Sequence, residues 1–504
     1  MTLQYMTLQW STRDSGTSAR RYLLALLSAV PLVLAGAGPF DEPRSIRNVL
    51  IVTLDTTRAD YLPAYGYTKL ETPALDRLSR EGTVFEQATT SVPLTLPAHC
   101  TIFTGLFPPH HRVRDNADRA LDTGQITLAE VLHARGMRTG AFVGSVVVGH
   151  DRGLAQGFDT YSAPSRIDLR DGNRRPAHLV VDDALEWLQR QDGPFFAWIH
   201  LYDAHAPYAL PEPFRTMYHD APYLGALAVL DAQVGRVARA LETHHVLDRT
   251  LLVVASDHGE SLGEHGEDGH GIFVYQSTLR VALIMRVPGF APRRVADVTR
   301  LADVMPTVLD LLHEPAPPMD GVSLVPLMTG RVKHLDLDAY SESAYPRRFG
   351  WSELSALRAG RYKFIDAPRP ELYDLDVDPG ERHNIFNRRT ALGSAMAARV
   401  DALAKSAPTR EPVDTAVEGE TASRLSALGY VGRGAAGVPR GGPGTFAIDP
   451  KDCIGHYNES VRRRSGFTAQ LPDSYPNGAS TECGALAFPR TTKDTGSASS
   501  NAPR

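Results

Sequence analysis

A chain of 504 residues with 42% hydrophobic content can bury a large core, and its length accommodates two or three domains. The formal net charge is -5, with 53 Lys plus Arg against 58 Asp plus Glu and no basic stripe, so nucleic acid is not an expected partner. Three cysteines, Cys100, Cys453 and Cys483, do not make a disulfide framework, and the fold is expected to hold without one.

Arg20 and Arg21 precede an apolar run from Tyr22 to Ala35, and Gly36-Ala37-Gly38 follows. This is the pattern of a secretory signal over residues 1–37, too short for a comfortable membrane span, although an uncleaved anchor is the alternative. Asn48 to Leu54 (NVLIVTL) then reads as a first buried strand ending at Asp55. Thr72 to Glu81 is a helix with a proline at its first position, and Thr83 to Thr90 returns as a strand. After SVPLTLPAH the pattern predicts a helix over His99 to Phe103. Helices over 126–134 and 177–189 alternate with strands over 138–145 and 195–201. Leu227, Leu230, Val234, Val237 and Leu241 keep helical spacing, and Thr250 to Ser256 (TLLVVAS) is a strand ending at Asp257 and His258. A strand over 279–287 and a helix over 301–313 close this part. The repeated alternation predicts an α/β class with a doubly wound, mainly parallel sheet flanked by helices.

Residues 331–410 read as a smaller region of short strands and turns, clearest from Asp338 to Asn384, with a terminal helix over 395–405. The stretch 432–504 is rich in Gly and Pro, then in Ser, Thr, Gly, Pro and Asn, and is expected to lack order. Within it, Asp449 to Val461 looks like the entry to a helical repeat that does not continue.

The chemistry concentrates at Ser91 to Gly105, where Thr95 stands before Leu96 and Pro97, with His99 following. A threonine hydroxyl is a weak nucleophile and needs a base or a metal. Asp55, Asp257 and His258 lie just past the ends of two buried strands, where α/β sheets gather their ligands. Together with Thr95 they offer carboxylate, imidazole and hydroxyl donors suited to one divalent cation, such as Zn, Ca, Mg or Mn. Taken singly, an aspartate after an apolar strand is more often a turn or cap residue.

At these residues the chain resembles the sulfatase family of the alkaline phosphatase superfamily. The resemblance rests on NVLIVTLDTTRADYL, TLPAHCTIFTGLFP, WIHLYDAHAPY, SDHGESLGEHGEDGHG and RYKFIDAPRPELYDLDVDPGERHNI, five ordered blocks across the chain. It implies an alkaline phosphatase-like catalytic domain over 46–330, a small C-terminal antiparallel sheet, and metal ligands at Asp55, Thr95, Asp257 and His258. Sulfatases carry Cys-x-Pro-x-Arg, the cysteine becoming formylglycine, whereas this chain has Thr95-Leu96-Pro97-Ala98-His99. Sulfatases also place a second aspartate where Thr56 stands.

The resemblance further implies that Asp203, His205 and His270 hold either a second cation or the substrate's anionic oxygens. His99 replaces the sulfatase arginine and either orients Thr95, touches substrate or is structural. His265 and Glu260 are expected behind the site or at the surface. Glu342, Arg347 and Lys363 are candidates for the cleft rim, although Lys363 sits in an alternating strand that suggests a solvated face. The expected activity is metal-dependent hydrolysis of a small phosphate or phosphonate ester through a covalent Thr95 intermediate. Sulfate ester hydrolysis and the transfer of phosphoethanolamine or glycerophosphate to an envelope acceptor are the alternatives. The expected location is outside the cytoplasm, periplasmic or secreted.

Overall fold

The structure, a computed structural model, describes residues 45–117, 119–164, 174–406, 448–465 and 483. The signal expected over 1–37 therefore lies outside the described residues. The main sheet is built from β1 (Asn48–Leu54), β2 (Thr83–Thr89), β3 (Arg138–Val143), β4 (Thr160–Ser162), β5 (Phe195–Leu201) and β6 (Thr250–Ser256). A two-stranded ribbon, β7 (Ser261–Leu262) and β8 (Asp268–Gly269), stands apart, and β9 (Leu283–Arg286) and β10 (Arg293–Arg300) complete the sheet. The order is β10-β2-β9-β6-β1-β5-β3-β4, and all neighbours run parallel except β9, which opposes both β2 and β6.

β1, β5 and β6 are buried along their whole length, as a central strand covered on both faces must be. Their side chains divide by the period of two. Val49, Ile51, Phe196, Trp198, Leu251 and Val253 enter one apolar cluster, while Leu50, Val52, Ala197, Ile199, Leu252 and Val254 enter the other. The principal helices are α1 (Pro73–Glu81), α2 (Thr95–Thr104), α3 (Leu128–Ala134), α4 (Ala177–Leu188), α5 (Pro222–Thr243) and α6 (Val304–Leu311). Leu96 and Ile102 of α2 join the first cluster, and Leu227, Val234 and Leu241 of α5 join the second.

The smaller sheet, β11 (Asp338–Ser343), β12 (Leu354–Ala359), β13 (Tyr362–Asp366) and β14 (Glu371–Asp374), is an antiparallel meander. Met396 and Val400 of α7 (Thr390–Lys405) pack on its Tyr340, Leu357, Phe364 and Leu372. β11 also braces the main domain: the Glu342 amide donates to the Ser91 carbonyl at 2.9 Å and the Ser341 hydroxyl to that of Thr90 at 2.7 Å.

Several expectations are corrected. The helix expected from His99 begins at Thr95, because Pro97 in the first turn removes an amide that has no helical partner anyway. Within the expected 279–287 strand only Leu283–Arg286 is extended, and it runs antiparallel. Arg293–Arg300 (RRVADVTR), whose charges hide its pattern, is an edge strand, where charge discourages further pairing. The stretch from 432 is not wholly without order. Pro450–Ser465 forms a helix, α8, with Cys453, Ile454, Tyr457 and Asn458 buried along it. A disulfide joins Cys453 to Cys483, against the expectation of none. Among the described residues no helix is long and apolar enough to cross a membrane.

Candidate active site

The alternation that fills the core also aims the site. Counting by twos from Val49 and Ile51 reaches Thr53 and Asp55, from Leu251 and Val253 reaches Asp257, and from Phe196 and Trp198 reaches His200. All of these fall on the face that α2 covers. Register does the rest, since Thr53 pairs with His200 and Leu54 with Ser256. The two carboxylates thus emerge side by side just past the carboxyl ends of two adjacent central strands.

Ligand atoms of Asp55, Asp257 and His258 lie within 4.8 Å of one another, and all three residues are fully buried. Neither oxygen of Asp55 has a hydrogen-bond partner among the described residues, nor has Oδ2 of Asp257. Burial first, then the charge of Asp257, pushes the Asp55 carboxyl well above the usual carboxylate range. The other oxygen of Asp257 accepts from the His258 amide at 2.8 Å, but burying two carboxylates together with three of their four oxygens lacking donors is costly unless positive charge offsets it. The donor set therefore fits a divalent cation. Thr95, the first residue of α2, has its Oγ1 3.4 Å from His258 Nε2, at the border of this cluster.

The imidazoles are held in one tautomer. His258 Nδ1 lies 2.9 Å from the Gly259 carbonyl, and His205 Nδ1 lies 2.6 Å from that of Ala206. A carbonyl only accepts, so each Nδ1 carries the proton and each Nε2 presents a lone pair. His270 Nδ1 is 2.8 Å from Glu260 Oε1, which fixes it the same way. Burial pushes His258 down to about 4 and holds His205 and His200 well below the usual histidine range, so these rings are neutral. Neutral rings with Nδ1 occupied are in the form that binds metal or accepts a proton.

The sulfatase family model matches residues 47–314, more than half of the chain, and the model for the C-terminal part of N-sulphoglucosamine sulphohydrolase matches residues 263–405. The chain belongs to the sulfatase family. It is a hydrolase acting on sulfate or phosphate esters, with the alkaline phosphatase-like fold. It is 26% identical over 427 residues to the choline-sulfatase of Rhizobium meliloti (strain 1021), covering 67% of this chain and 82% of that one. Human arylsulfatase A is 25% identical over 447 residues, covering 72% and 86%. Among solved structures, the phosphonate monoester hydrolase of Agrobacterium radiobacter aligns with a TM-score of 0.63 at 24% identity, covering 72% of this chain and 96% of that one.

In this sulfatase-family site His99 contacts Thr95 through the backbone. Its Nδ1 donates to the Thr95 carbonyl at 2.7 Å and its Nε2 lies 3.0 Å from Thr53 Oγ1, so the ring bridges the first turn of α2 and β1. Its Nδ1 is also 3.7 Å from Asp257 Oδ2. His205 and His270 face each other with ring centroids 5.1 Å apart, and His270 stands 4.4 Å from His258. Asp203 is not brought into this group. Its Oδ2 accepts from the Ala177 amide at 2.8 Å, satisfying the start of α4, and its charged neighbours are Arg174 and His178.

Glu260 is buried behind His270 as expected, while His265 stacks on Tyr275 at 3.6 Å between centroids. Lys363 is not solvated. It is buried and pairs with the equally buried Glu381 at 2.6 Å, in the interior rather than at a rim. Glu342 is buried and accepts from Arg114, and Arg347 pairs with Glu353 at 3.3 Å.

Three residues here escaped the reading of the sulfatase motifs. His200 Nε2 stands 3.5 Å from Asp55 Oδ2, and Thr53 Oγ1 gathers Trp198 Nε1 at 2.9 Å and His200 Nδ1 at 3.1 Å. Asn116 Oδ1 accepts from the Leu96 amide at 2.9 Å and so fixes the helix that starts with Thr95. A histidine interrupting the otherwise apolar FFAWIHL was the available signal for His200. Asn116 gave none. Thr56 adopts a left-handed φ of 50°, unusual for a β-branched residue, with its carbonyl held by Tyr223 Oη at 2.8 Å and its amide 3.3 Å from Asp257 Oδ1.

Proposed function

We propose that the protein hydrolyses small phosphate or phosphonate esters through a covalent ester on Thr95. The observation that carries this reading is a hydroxyl at the start of α2, 3.4 Å from His258 Nε2, beside two buried carboxylates of which both oxygens of Asp55 and one of Asp257 have no hydrogen-bond partner among the described residues. Asp55, Asp257, His258 and Thr95 would hold a divalent cation, which when bound supplies Lewis-acid activation of the hydroxyl and charge neutralisation at the transferred group. Thr95 Oγ1 bonds to phosphorus as the ester P–O bond breaks, and the departing oxygen takes up a proton. Water then hydrolyses the threonine ester, releasing the acid and restoring the hydroxyl. His99 holds the first turn, so that Oγ1 keeps its aim. The Nε2 atoms of His205 and His270 would take up a proton from the water of the second step.

A threonine ester has no internal route of release, unlike the hydrate of an aldehyde, so that second water must be activated. This favours phosphorus esters over sulfate esters, although the family resemblance to arylsulfatase A and choline-sulfatase makes sulfate the competing substrate. The disulfide between Cys453 and Cys483 supports maturation in an oxidising compartment, in keeping with export by the N-terminal signal.

The test is turnover of aryl phosphate, aryl phosphonate and aryl sulfate by purified protein, with metal content measured alongside. Faster turnover of the phosphorus esters, loss of it in Thr95→Ala, and added mass on the peptide bearing Thr95 after rapid quenching are expected. Dominant sulfate turnover, or a label on another side chain, overturns the reading. Turnover that starts only when a hydroxyl acceptor is added identifies a transferase instead.

A further inference from the structure

The helix α8 lies beyond both family-model matches, yet it reaches the loop that carries His270. Asn458 Oδ1 accepts from the Asp268 amide at 3.0 Å, and its Nδ2 donates to the Gly266 carbonyl at 2.6 Å. Tyr457 Oη, one residue earlier, donates to the carbonyl of His270 itself at 3.1 Å. Two adjacent side chains thus satisfy three backbone groups within five residues of one loop.

That loop is a short ribbon, β7 paired with β8, whose turn is closed by the Gly263 amide donating to the Glu267 carbonyl at 3.1 Å. Gly263, Gly266, Gly269 and Gly271 all take left-handed φ angles, between 82° and 109°, conformations that glycine adopts without strain, and the last two flank His270 at the end of the ribbon. Glu260 orients the His270 ring through Nδ1 but does not fix the height of its backbone. The opposite side of the loop bears on the nucleophile segment: a Cβ at Gly271 would lie 3.1 Å from Leu94 Cδ2, the residue before Thr95, and 3.1 Å from Tyr345 Cδ1. Contacts from α8 on one side and from Leu94 on the other thus bear on the backbone that carries His270.

α8 is itself anchored away from the loop. The Asp449 carboxylate accepts from the Arg369 and Lys451 amides at 3.2 and 3.0 Å, and Lys451 Nζ pairs with Glu371 of β14. The Tyr457 ring packs edge-on against Phe349 and Tyr345, and Cys453 is fully buried in its disulfide. From this geometry we infer that α8 is a working part of the active site, Tyr457 and Asn458 being positioning residues that act through His270. The inference rests on the ester hydrolase reading for its kinetic effect and on hydrogen bonds alone for its structural one.

The experiment uses the full chain with Asn458→Ala, Tyr457→Phe and His270→Ala, and Asn458→Ala combined with His270→Ala. On whichever aryl ester the wild type turns over, Asn458→Ala is expected to lower kcat roughly tenfold, short of the ~100-fold that an ångström of misplacement produces. Metal content stays unchanged. In the His270→Ala background the same substitution should cost less than about twofold, because residues acting as one unit are not additive. Hydrogen exchange at the Asp268 amide should accelerate at least about tenfold in Asn458→Ala, since its acceptor is gone. Unchanged exchange, or an equal kcat loss with and without His270, overturns the inference. A wild type inert to every aryl ester would sink the reading of the site, while the exchange measurement would still decide whether α8 braces the loop.

Discussion

Asp55→Asn should make the cation-free protein more stable while removing its capacity to bind a divalent cation. The ligand oxygens of Asp55 and Asp257 lie within 4.8 Å of each other, and two unit charges at that separation repel by about 3.5 kcal/mol at an effective dielectric of ~20. Part of this is already relieved near neutral pH, because burial and Asp257 push the Asp55 carboxyl toward its neutral form. The amide also offers a donor to Asp257 Oδ2, which has none among the described residues. The expected gain is therefore about 1–3 kcal/mol, a rise of a few degrees in melting temperature. The assay is thermal unfolding in chelator and again with saturating Zn or Mn. Wild type should gain about 2.7 kcal/mol at a hundredfold excess over Kd, and the variant should gain none. A variant that melts below wild type in chelator refutes the reasoning, since the carboxylate would then be serving the fold rather than the ion.

Asp203→Ala should cost about 1 kcal/mol through the lost bond to the Ala177 amide and leave turnover near wild type; a collapse of turnover at unchanged stability would restore Asp203 to the site. Its Oδ2 caps α4, which is why the cost falls on folding. His110 donates to Asp320, chiefly through that hydrogen bond, and its folded pKa is raised. The contribution is complete below the unfolded value of about 6.5 and is lost as pH rises through the folded pKa, so the urea-unfolding deficit of His110→Gln should be larger at pH 5.5 than at pH 9. Equal deficits at the two pH values count against the pair. Lys363→Met strands Glu381 in the interior and should cost about 3–5 kcal/mol, most of it recovered by adding Glu381→Leu. A cost under about 1 kcal/mol would mean that the pair is not buried as described.

The central sheet was legible because its strands are buried on both faces and therefore read as unbroken apolar runs: NVLIVTL and TLLVVAS announce themselves, and so do the aspartates that end them. Arg293–Arg300 was not legible, since an edge strand is free to carry charges that erase the signal. Asp55, Asp257 and His258, whose ligand atoms the structure gathers within 4.8 Å, stand in contiguous, recognisable blocks, as does Thr95 beside them. Asn116 could not be read this way, because its task is a hydrogen bond to the Leu96 amide and any loop residue of similar chemistry reads alike. Lys363 was misjudged for the opposite reason. Alternation within β13 puts Lys363 on one face with Ile365, and that face is interior because Ile365 packs in the first apolar cluster, with Glu381, from a turn further along the chain, supplying the charge that pairs Lys363 there. The stretch Asp449 to Val461 reads as the entry to a helical repeat and does form α8, but the same limit hid its burial, which depends on partners in the 266–270 loop and in the small sheet rather than on its own polar composition.

The arrangement of protons around the site separates two roles that composition alone leaves merged. Thr53 Oγ1 lies within 3.1 Å of three nitrogens and can donate only once. Trp198 must donate to it, and His99, whose Nδ1 proton is committed to the Thr95 carbonyl, must accept from it. His200 is then left to donate through Nδ1, which turns the lone pair of its Nε2 toward Asp55 Oδ2 at 3.5 Å. A lone pair facing a carboxylate oxygen is repulsive unless something positive stands between or beside them. The hydrogen bonds that hold the α2 helix in place thus create, two residues from Asp55, the same demand for positive charge that the paired carboxylates create. The scaffold and the ligand cluster consequently converge on one requirement, and the residue that begins α2, Thr95, sits where that requirement would be met.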